Sequence, residues 1–186
     1  MSRERRLTTV TVFCGSRDGV RASYRAAATA FGAALARRGL DLVYGGAQNG
    51  LMGAVADAVV SGGRKVVGVI PAGLDRVEFA HPKLTERIDV ATMHARKAVM
   101  AERGDAFVAL PGGFGTMDEL FEALTWRQLA MHDKPLGLLD VDEYYRPLVA
   151  FLDVAVTEGF APARVRALLV VESDPDVLLT RLEERR

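Results

Sequence analysis

The strongest constraint in the sequence is a repeated unit, in which a short apolar run is followed by glycines and then by a helical pattern. The runs are rich in β-branched residues, which is typical of strands that are buried on both faces of a sheet. Such alternation predicts a parallel sheet with right-handed crossovers and helices on both faces. We therefore predict an α/β fold: a Rossmann-like doubly wound parallel sheet flanked by helices, as a single domain over residues 1–186.

The apolar runs and the helical periodicity place the elements along the chain. Segment 71–91 carries two prolines and breaks the rhythm, so we expect an ordered loop over the sheet edge there. Asp174 followed by Pro175 is typical of a helix start and predicts a last helix from about residue 174. The predicted strands are 7–14, 40–44, 65–70, 105–110, 135–140 and 167–172, and the other predicted helices are 22–38, 51–61, 92–103, 116–131 and 143–158.

Composition narrows the class of protein. The formal net charge is +0, with 49% hydrophobic and 26% charged residues, which argues against a nucleic-acid partner. No apolar stretch reaches about 18 residues and the first residues do not resemble a signal peptide, so we expect neither a membrane span nor export. The single cysteine, Cys14, favours a cytoplasmic location and gives no zinc cluster. The histidines lack metal-ligand spacing, and we expect no metal site.

Three glycine-bearing turns follow predicted strands, at residues 14–19, 44–53 and 111–116. In open α/β sheets, ligands bind beyond the carboxyl ends of the strands. Glycine lets several N–H groups converge on one anion, and the following helix adds its positive end, so a phosphate is the natural ligand. The turns match neither a Walker A loop nor G-x-G-x-x-G. From them we take Ser16, Gly46 and Phe114 as candidate substrate-binding residues.

Three sets of polar or charged residues have alternative interpretations. Thr116 and Glu119 fit a capping box, in which Thr116 caps the helix and Glu119 bonds back to it. The other interpretation has the Glu119 carboxylate stabilise oxocarbenium character, or align water, while a glycosidic bond breaks. Arg96 and Lys97 are either solvated helix residues or ligands of a phosphate or ribose. Glu78 is either a surface charge or a ribose ligand.

Several stretches together resemble the LONELY GUY (LOG) family of cytokinin riboside 5′-monophosphate phosphoribohydrolases. They are "PGGFGTMDE", "YGGAQNGLMG", "MHARK", "GVIP" and "TWRQLAMHDKPLGLLD", and the similarity covers about residues 8–172. The combination of M-x-x-R-K with P-G-G-x-G-T-x-x-E is specific to the family. The resemblance implies a Rossmann-like homodimer that converts an N6-substituted AMP and water to the free base and ribose 5-phosphate. We expect no metal and no organic cofactor.

The resemblance also implies roles for individual residues. Arg96 and Glu119 would be the catalytic pair, and Lys97, Glu78 and Thr125 would contact the substrate. The residues that would hold the phosphate are Gly112, Gly113, Gly115 and Thr116. Two positions depart from the family pattern, since Ala47 replaces a third glycine and Asp140 replaces an asparagine.

Other functions stay open at this level, because a fold does not fix a function. The chief alternative is a non-catalytic nucleotide-binding or carrier protein on the same fold. A carrier would need the glycine turns but has no evident use for Glu119 with Arg96. A structural or interaction module is the third class, with the long loop or "AMHDKPLG" as its partner surface.

Overall fold

The computed structural model describes residues 7–73 and 79–185 of the chain. Within these residues, strands and helices alternate as the sequence predicts, except that β4 follows β3 and α6 follows α5 directly. The strands are β1 (Thr9–Phe13), β2 (Asp41–Tyr44), β3 (Val66–Pro71), β4 (Glu86–Val90), β5 (Ala106–Ala109), β6 (Leu136–Leu139) and β7 (Leu169–Glu172). The helices are α1 (Ala22–Arg37), α2 (Gly50–Ser61), α3 (Met93–Arg103), α4 (Phe114–Gln128), α5 (Arg146–Thr157), α6 (Ala163–Arg166) and α7 (Pro175–Glu183).

All of the described strands belong to one parallel sheet, in the order β4-β3-β2-β1-β5-β6-β7. The chain winds outward from β1 in one direction through β2, β3 and β4, and in the other through β5, β6 and β7. The order therefore reverses between β1 and β5, which is where ligands bind in doubly wound folds. The predicted fold class is confirmed.

The two faces of the sheet carry separate apolar cores. One core packs α1, α2 and α7 against the sheet, and the other packs α3, α4 and α5 against the opposite face. The contact between α1 and α2 is close enough to require a glycine, because a Cβ on Gly32 would lie 2.5 Å from the Val55 carbonyl oxygen. The central strands are consequently buried on both sides, as their continuous apolar runs predicted.

The predicted loop over residues 71–91 is wrong in part. Strand β3 extends to Pro71, and residues 86–90 form β4, which pairs with β3 from Val67 opposite Glu86 to Pro71 opposite Val90. The sequence "ERIDV" hides this strand because β4 lies at the sheet edge, where several of its side chains are exposed and polar. Helix α6 was also missed, since four residues are too few to show a helical period.

His132 connects α4 to the segment before β6 through hydrogen bonds. Its Nδ1 accepts a hydrogen bond from the Lys134 N–H (3.2 Å), so Nε2 carries the proton and donates to the Ala123 carbonyl (2.9 Å). Burial lowers the pKa of His132, with the charges of Arg127 and Lys134 in the same direction, although the hydrogen bond to Ala123 opposes them. The folded protein therefore favours the neutral imidazole.

We expect the folded protein to lose stability in acid through His132. Because its folded pKa lies below the unfolded value of about 6.5, its contribution is present above pH 6.5 and is lost as the pH falls through the folded pKa. His132→Gln keeps an N–H donor for Ala123 but does not titrate. Between pH 8 and pH 5, the melting temperature of the wild type should fall about 2 °C further than that of His132→Gln. Parallel curves for the two proteins would contradict this assignment.

Candidate active site

A cavity of about 620 Å³ opens at the carboxyl ends of β1 and β5, where the strand order reverses. This volume is in the range of small-molecule sites. The cavity is lined by two of the glycine turns that the sequence analysis singled out, together with parts of α2, α3 and α4. Its lining residues are Cys14, Gly15, Ser16, Arg17, Asp18, Gly19, Tyr24, Leu51, Met52, Met93, Arg96, Pro111, Gly112, Gly113, Phe114, Gly115, Thr116, Glu119 and Tyr144.

Helix α4 begins inside the third turn. Gly113 is its N-cap, and the first backbone hydrogen bond of the helix runs from the Met117 N–H to the Gly113 carbonyl (3.1 Å). The N–H groups of residues 114–116 precede that bond, so they lack carbonyl partners one turn back and are available to an anion. The capping-box interpretation is wrong, because Thr116 lies within the first turn of α4 and is not its N-cap.

Gly112 has no room for a side chain. A Cβ on Gly112 would lie 2.0 Å from Thr116 Oγ1 and 2.9 Å from the Gly15 backbone nitrogen. The neighbouring Gly113 and Gly115 face open space. The loop therefore packs tightly against the first turn on one side and leaves bare backbone on the side of the cavity.

Arg96 and Glu119 come from different helices and line the same cavity. Thr92 caps α3 by accepting a hydrogen bond from the Ala95 N–H (3.1 Å), and this fixes the helix turn that carries Arg96. Glu119 lies in the second turn of α4, about 4.5 Å along the helix axis from Thr116. Both side chains are almost fully buried, at 4% exposure for Arg96 and 6% for Glu119.

The guanidinium of Arg96 is held against the second glycine turn. Its Nη2 donates to the Gly45 carbonyl (3.0 Å), and its Nη1 lies 3.8 Å from the Met93 sulfur. A Cβ on Gly45 would lie 1.8 Å from Nη2, so only glycine leaves room for this contact. The Arg96 Nε is buried without a hydrogen-bond partner among the described residues. A buried donor of this kind is typical of a site that completes its bonds with a ligand.

Lys97 lies outside the cavity lining. Its Nζ forms ion pairs with Asp118 (3.1 Å) and Glu122 (3.1 Å) on α4, and its side chain is only 15% exposed. Burial alone would lower the pKa of Lys97, but the hydrogen bonds and charges of these two carboxylates raise it. Lys97 and Glu119 share a crevice of about 10 Å³ between α3 and α4, so the lysine is a neighbour of the site's carboxylate.

The other predicted site residues are distributed unevenly. Ser16 and the loop Gly112–Thr116 line the cavity, and Phe114 stands at its rim with 97% exposure. Gly46 lets the second turn pack closely against Ile70 of β3, because a Cβ on Gly46 would lie only 2.6 Å from Ile70 Cγ1. Thr125 lies on the exposed side of α4, beside a second groove. Glu78 lies outside the described residues.

Sequence reasoning missed an aromatic wall of the cavity. Tyr24 at the start of α1 and Tyr144 after β6 both line it, and their rings meet edge to face with centroids 5.6 Å apart. The sequence position of Tyr144 could have pointed to the cavity, because residues 140–145 follow the carboxyl end of a predicted strand, as the glycine turns do. That segment has no glycine and its charged residues are all acidic, so it carried no motif for phosphate binding.

The described residues show no group of three or more His, Cys, Asp or Glu that could hold a metal ion. The expectation of a metal-free site stays a prediction.

In residues 7–73 and 79–185, no helix is both long enough and apolar enough to cross a membrane.

Comparison with known proteins places the chain in a family. A family model described as "Possible lysine decarboxylase" matches residues 52–182. The cytokinin riboside 5′-monophosphate phosphoribohydrolase LOG3 of Arabidopsis thaliana is 50% identical over 175 residues, which cover 94% of this chain and 81% of that protein. The probable cytokinin riboside 5′-monophosphate phosphoribohydrolase LOGL9 of Oryza sativa subsp. japonica is 52% identical over 179 residues, which cover 96% and 79%. The chain belongs to the LOG family.

Solved structures share the fold of this LOG-family chain at lower sequence identity. The Moco carrier protein from Chlamydomonas reinhardtii superposes with a TM-score of 0.73 at 20% identity, over 97% of this chain and 98% of that one. A molybdenum cofactor binding protein from Rippkaea orientalis gives 0.73 at 19% identity, over the same shares of both chains. At this identity the likeness shows the fold alone.

The decarboxylase description finds little support in the cavity of this LOG-family chain. Pyridoxal phosphate enzymes hold their cofactor through a lysine Schiff base. The lysines of the chain are Lys65, Lys83, Lys97 and Lys134. All four are described, and none of them lines the cavity. Lys97 comes nearest in sequence to a cavity residue, and its amine is engaged by two carboxylates.

The tight packing at Gly112 gives a test with a matched control. We expect Gly112→Ala to cost about 1–3 kcal/mol of unfolding free energy, because the new methyl would overlap Thr116 and the Gly15 backbone. Gly115→Ala adds the same methyl in open space, inside the first turn of α4, where alanine is compatible with the helix. Thermal unfolding should show a melting temperature lower by about 2–4 °C per kcal/mol for Gly112→Ala and unchanged or slightly higher for Gly115→Ala. Equal melting temperatures for both variants would contradict the loop geometry.

Proposed function

We propose that this chain is a cytokinin riboside 5′-monophosphate phosphoribohydrolase, an enzyme that hydrolyses the N-glycosidic bond of N6-substituted adenosine 5′-monophosphates. Water adds its oxygen to C1′ of the ribose, the bond from C1′ to the purine nitrogen breaks, and that nitrogen takes a proton. The products are the free base and ribose 5-phosphate. The relatives that are about half identical over nearly the whole chain carry this activity in their names, and the cavity of this chain supplies groups that suit it.

The start of α4 is the proposed phosphate site. The N–H groups of residues 114–116 and the positive end of the helix favour an anion there, and bare Gly113 and Gly115 allow its close approach. Ser16, from the turn after β1, lines the same cavity and can donate a further hydrogen bond. Binding energy from the phosphate, which takes no part in the bond cleavage, can then orient the ribose.

Glu119 is the proposed catalytic carboxylate. It lies one helical turn beyond Thr116, so a ribose whose phosphate sits at the helix start can place C1′ near its side chain. An ionised carboxylate there stabilises the positive charge that develops on the sugar, or aligns the attacking water. Arg96 completes the pair, and its buried Nε can donate to a sugar hydroxyl or a phosphate oxygen.

The observation that carries the proposal is the burial of Arg96 and Glu119 in the wall of one cavity. Taking ionisable groups out of water is costly, and buried ionisable groups in a cleft cluster at functional sites, so the place of these two side chains beside the proposed anion site favours a catalytic role. A carrier needs the anion site but not this pair. The carrier alternative therefore has less support, and the solved carrier structures share only the fold.

Product analysis with Glu119→Gln tests the catalytic role. Wild-type protein incubated with AMP or N6-isopentenyl-AMP should release free base and ribose 5-phosphate, measured by chromatography. We expect Glu119→Gln to lose about 10²–10⁴-fold in kcat while it keeps nucleotide binding, since the amide is nearly isosteric but cannot carry the charge. Asp118→Asn, which changes the adjacent exposed carboxylate, is the control and should stay within about threefold.

Three results would count against this assignment. Wild-type protein that binds AMP without releasing base would favour the carrier alternative. Glu119→Gln that retains turnover would remove the carboxylate from the mechanism. Equal losses in Glu119→Gln and Asp118→Asn would indicate a general effect of charge on α4.

We also propose that the enzyme is a homodimer formed through the outer face of α4 and α5. None of the residues of α5, all of which are described, is fully buried. Its Phe151 and Val154 are 60% and 55% exposed, and with Phe121 of α4 they give this face an apolar character. A groove of about 180 Å³ runs between the helices and includes Phe121, Thr125 and Phe151. An apolar patch of this kind is typical of a subunit interface.

The homodimer would give Thr125 a role that the single chain does not. Thr125 is exposed on the α4–α5 face and does not line the cavity of its own chain within the described residues. Its hydroxyl donates to the Phe121 carbonyl (2.7 Å), which leaves the oxygen able to accept. We therefore assign the substrate contact of Thr125 to the cavity of a second copy. Glu78, Lys97 and Gly46 stay predictions as substrate contacts.

Light scattering tests the proposed interface. The wild type should have twice the chain mass of 20.1 kDa, and Phe151→Asp should have the single-chain mass, because a carboxylate would be buried without a partner in the dimer. Val177→Asp on α7 introduces the same charge at another exposed apolar position and should stay dimeric. A dimeric Phe151→Asp protein would place the interface elsewhere.

The buried Cys14 suits a reducing compartment, and we propose the cytoplasm as the location.

A further inference from the structure

Three successive carbonyl groups before α4 are each held by a separate donor. The Leu110 carbonyl accepts from the Tyr145 hydroxyl (2.5 Å), the Pro111 carbonyl from the Gly15 N–H (3.0 Å) and the Gly112 carbonyl from the Tyr144 hydroxyl (2.5 Å). A peptide unit is planar, so fixing the direction of a carbonyl also fixes the N–H of the next residue. The Tyr144 hydroxyl thereby sets the direction of the Gly113 N–H, at the N-cap of the helix that presents the anion site.

The two tyrosines differ in their surroundings. Tyr145 is 1% exposed, and burial raises the pKa of its phenol, so the hydroxyl stays protonated and able to donate. Tyr144 is 38% exposed and lines the cavity. Its ring packs edge to face between Tyr145 (centroids 5.1 Å apart) and Tyr24 (5.6 Å). The ring is thus oriented by aromatic contacts on two sides, while the hydroxyl reaches the loop.

The segment before Tyr144 is bent into a conformation that non-glycine residues seldom adopt. Asp142 and Glu143 have φ values of 51° and 59°, which lie in the left-handed region and are unfavourable for residues with a Cβ. Side-chain hydrogen bonds hold the bend: the Ser23 hydroxyl donates to Asp142 Oδ2 (2.6 Å), and Asp140 Oδ1 accepts from the Tyr145 N–H (2.7 Å). Strained residues that are held this firmly are typical of functional sites.

We propose that Tyr144 is a positioning residue for the phosphate-binding loop, which acts by holding the Gly112 carbonyl and so orienting the Gly113 N–H at the start of α4. The identity of the anion rests on the proposed function, whereas the hydrogen bond and the aromatic contacts do not. Tyr144 would act on the phosphate half of the substrate. Phosphate is bound in both the ground state and the transition state. A misaligned N–H donor in the phosphate-binding loop should therefore raise KM more than it lowers kcat.

Tyr144→Phe tests this role, since it removes the hydroxyl and keeps the ring between Tyr24 and Tyr145. Titration calorimetry with ribose 5-phosphate should give a Kd about three- to tenfold higher than that of the wild type, as expected for one hydrogen bond. The Kd for adenosine, which lacks phosphate, should be unchanged. With AMP, KM should rise by a similar factor and kcat should change by less than twofold.

A matched control removes another bond from a hydroxyl to a carbonyl. The Thr29 hydroxyl donates to the Arg25 carbonyl (3.1 Å) on the exposed side of α1, and Thr29→Val should leave both dissociation constants unchanged. Thermal unfolding of each variant checks that the fold persists. An unchanged Kd for ribose 5-phosphate in Tyr144→Phe, or equal rises for ribose 5-phosphate and adenosine, would overturn the positioning role.

The two proposals fail in different ways. Wild-type protein that binds ribose 5-phosphate but releases no base overturns the proposed enzymatic function, and the comparison of dissociation constants still decides the role of Tyr144. Wild-type protein that binds no ribose 5-phosphate overturns both. Normal turnover together with an unaltered Kd in Tyr144→Phe overturns the positioning role alone.

Discussion

The site depends on one contact between two turns that are far apart in sequence. The Gly15 N–H donates to the Pro111 carbonyl (3.0 Å), and a Cβ on Gly112 would lie 2.9 Å from the Gly15 nitrogen. This approach is possible because β1 and β5 are neighbours in the sheet, so their carboxyl ends deliver both turns to the same place. The strand order thus determines where backbone amides converge, and the glycines determine how closely the turns can approach.

The charged pair in the cavity depends on the same packing. Arg96 is kept in place by the Gly45 carbonyl, which belongs to the turn after β2, while Glu119 is presented by the helix that starts at the proposed anion site. Neither side chain is exposed enough to be solvated freely. The Gly45 carbonyl offsets part of the cost of burying the Arg96 guanidinium. The arrangement ties the geometry of Arg96 and Glu119 to that of the glycine turns.

Much of the fold and of the candidate site was predictable from the sequence, and the features that were not predicted have physical reasons. Buried strands gave continuous apolar runs, so the sheet and its class were recognised, whereas the exposed edge strand β4 gave no such run. Thr116 looked like an N-cap because its spacing to Glu119 is that of a capping box, but Gly113 starts the helix one turn earlier. Tyr144 was missed because its contribution is a hydrogen bond to a backbone carbonyl, which leaves no pattern in one dimension.

The fold is shared with distant proteins, whereas the side chains of the cavity belong to this sequence. Solved structures at 19–20% identity share the fold over 97% of this chain. The buried Arg96 and Glu119 and the donors that fix residues 110–112 are properties of particular side chains in this sequence. Backbone N–H groups at the start of a helix favour an anion. The proposed cleavage requires in addition a carboxylate at a fixed distance from the proposed phosphate site, and α4 carries Glu119 and the N–H groups of its first turn on one rigid helix.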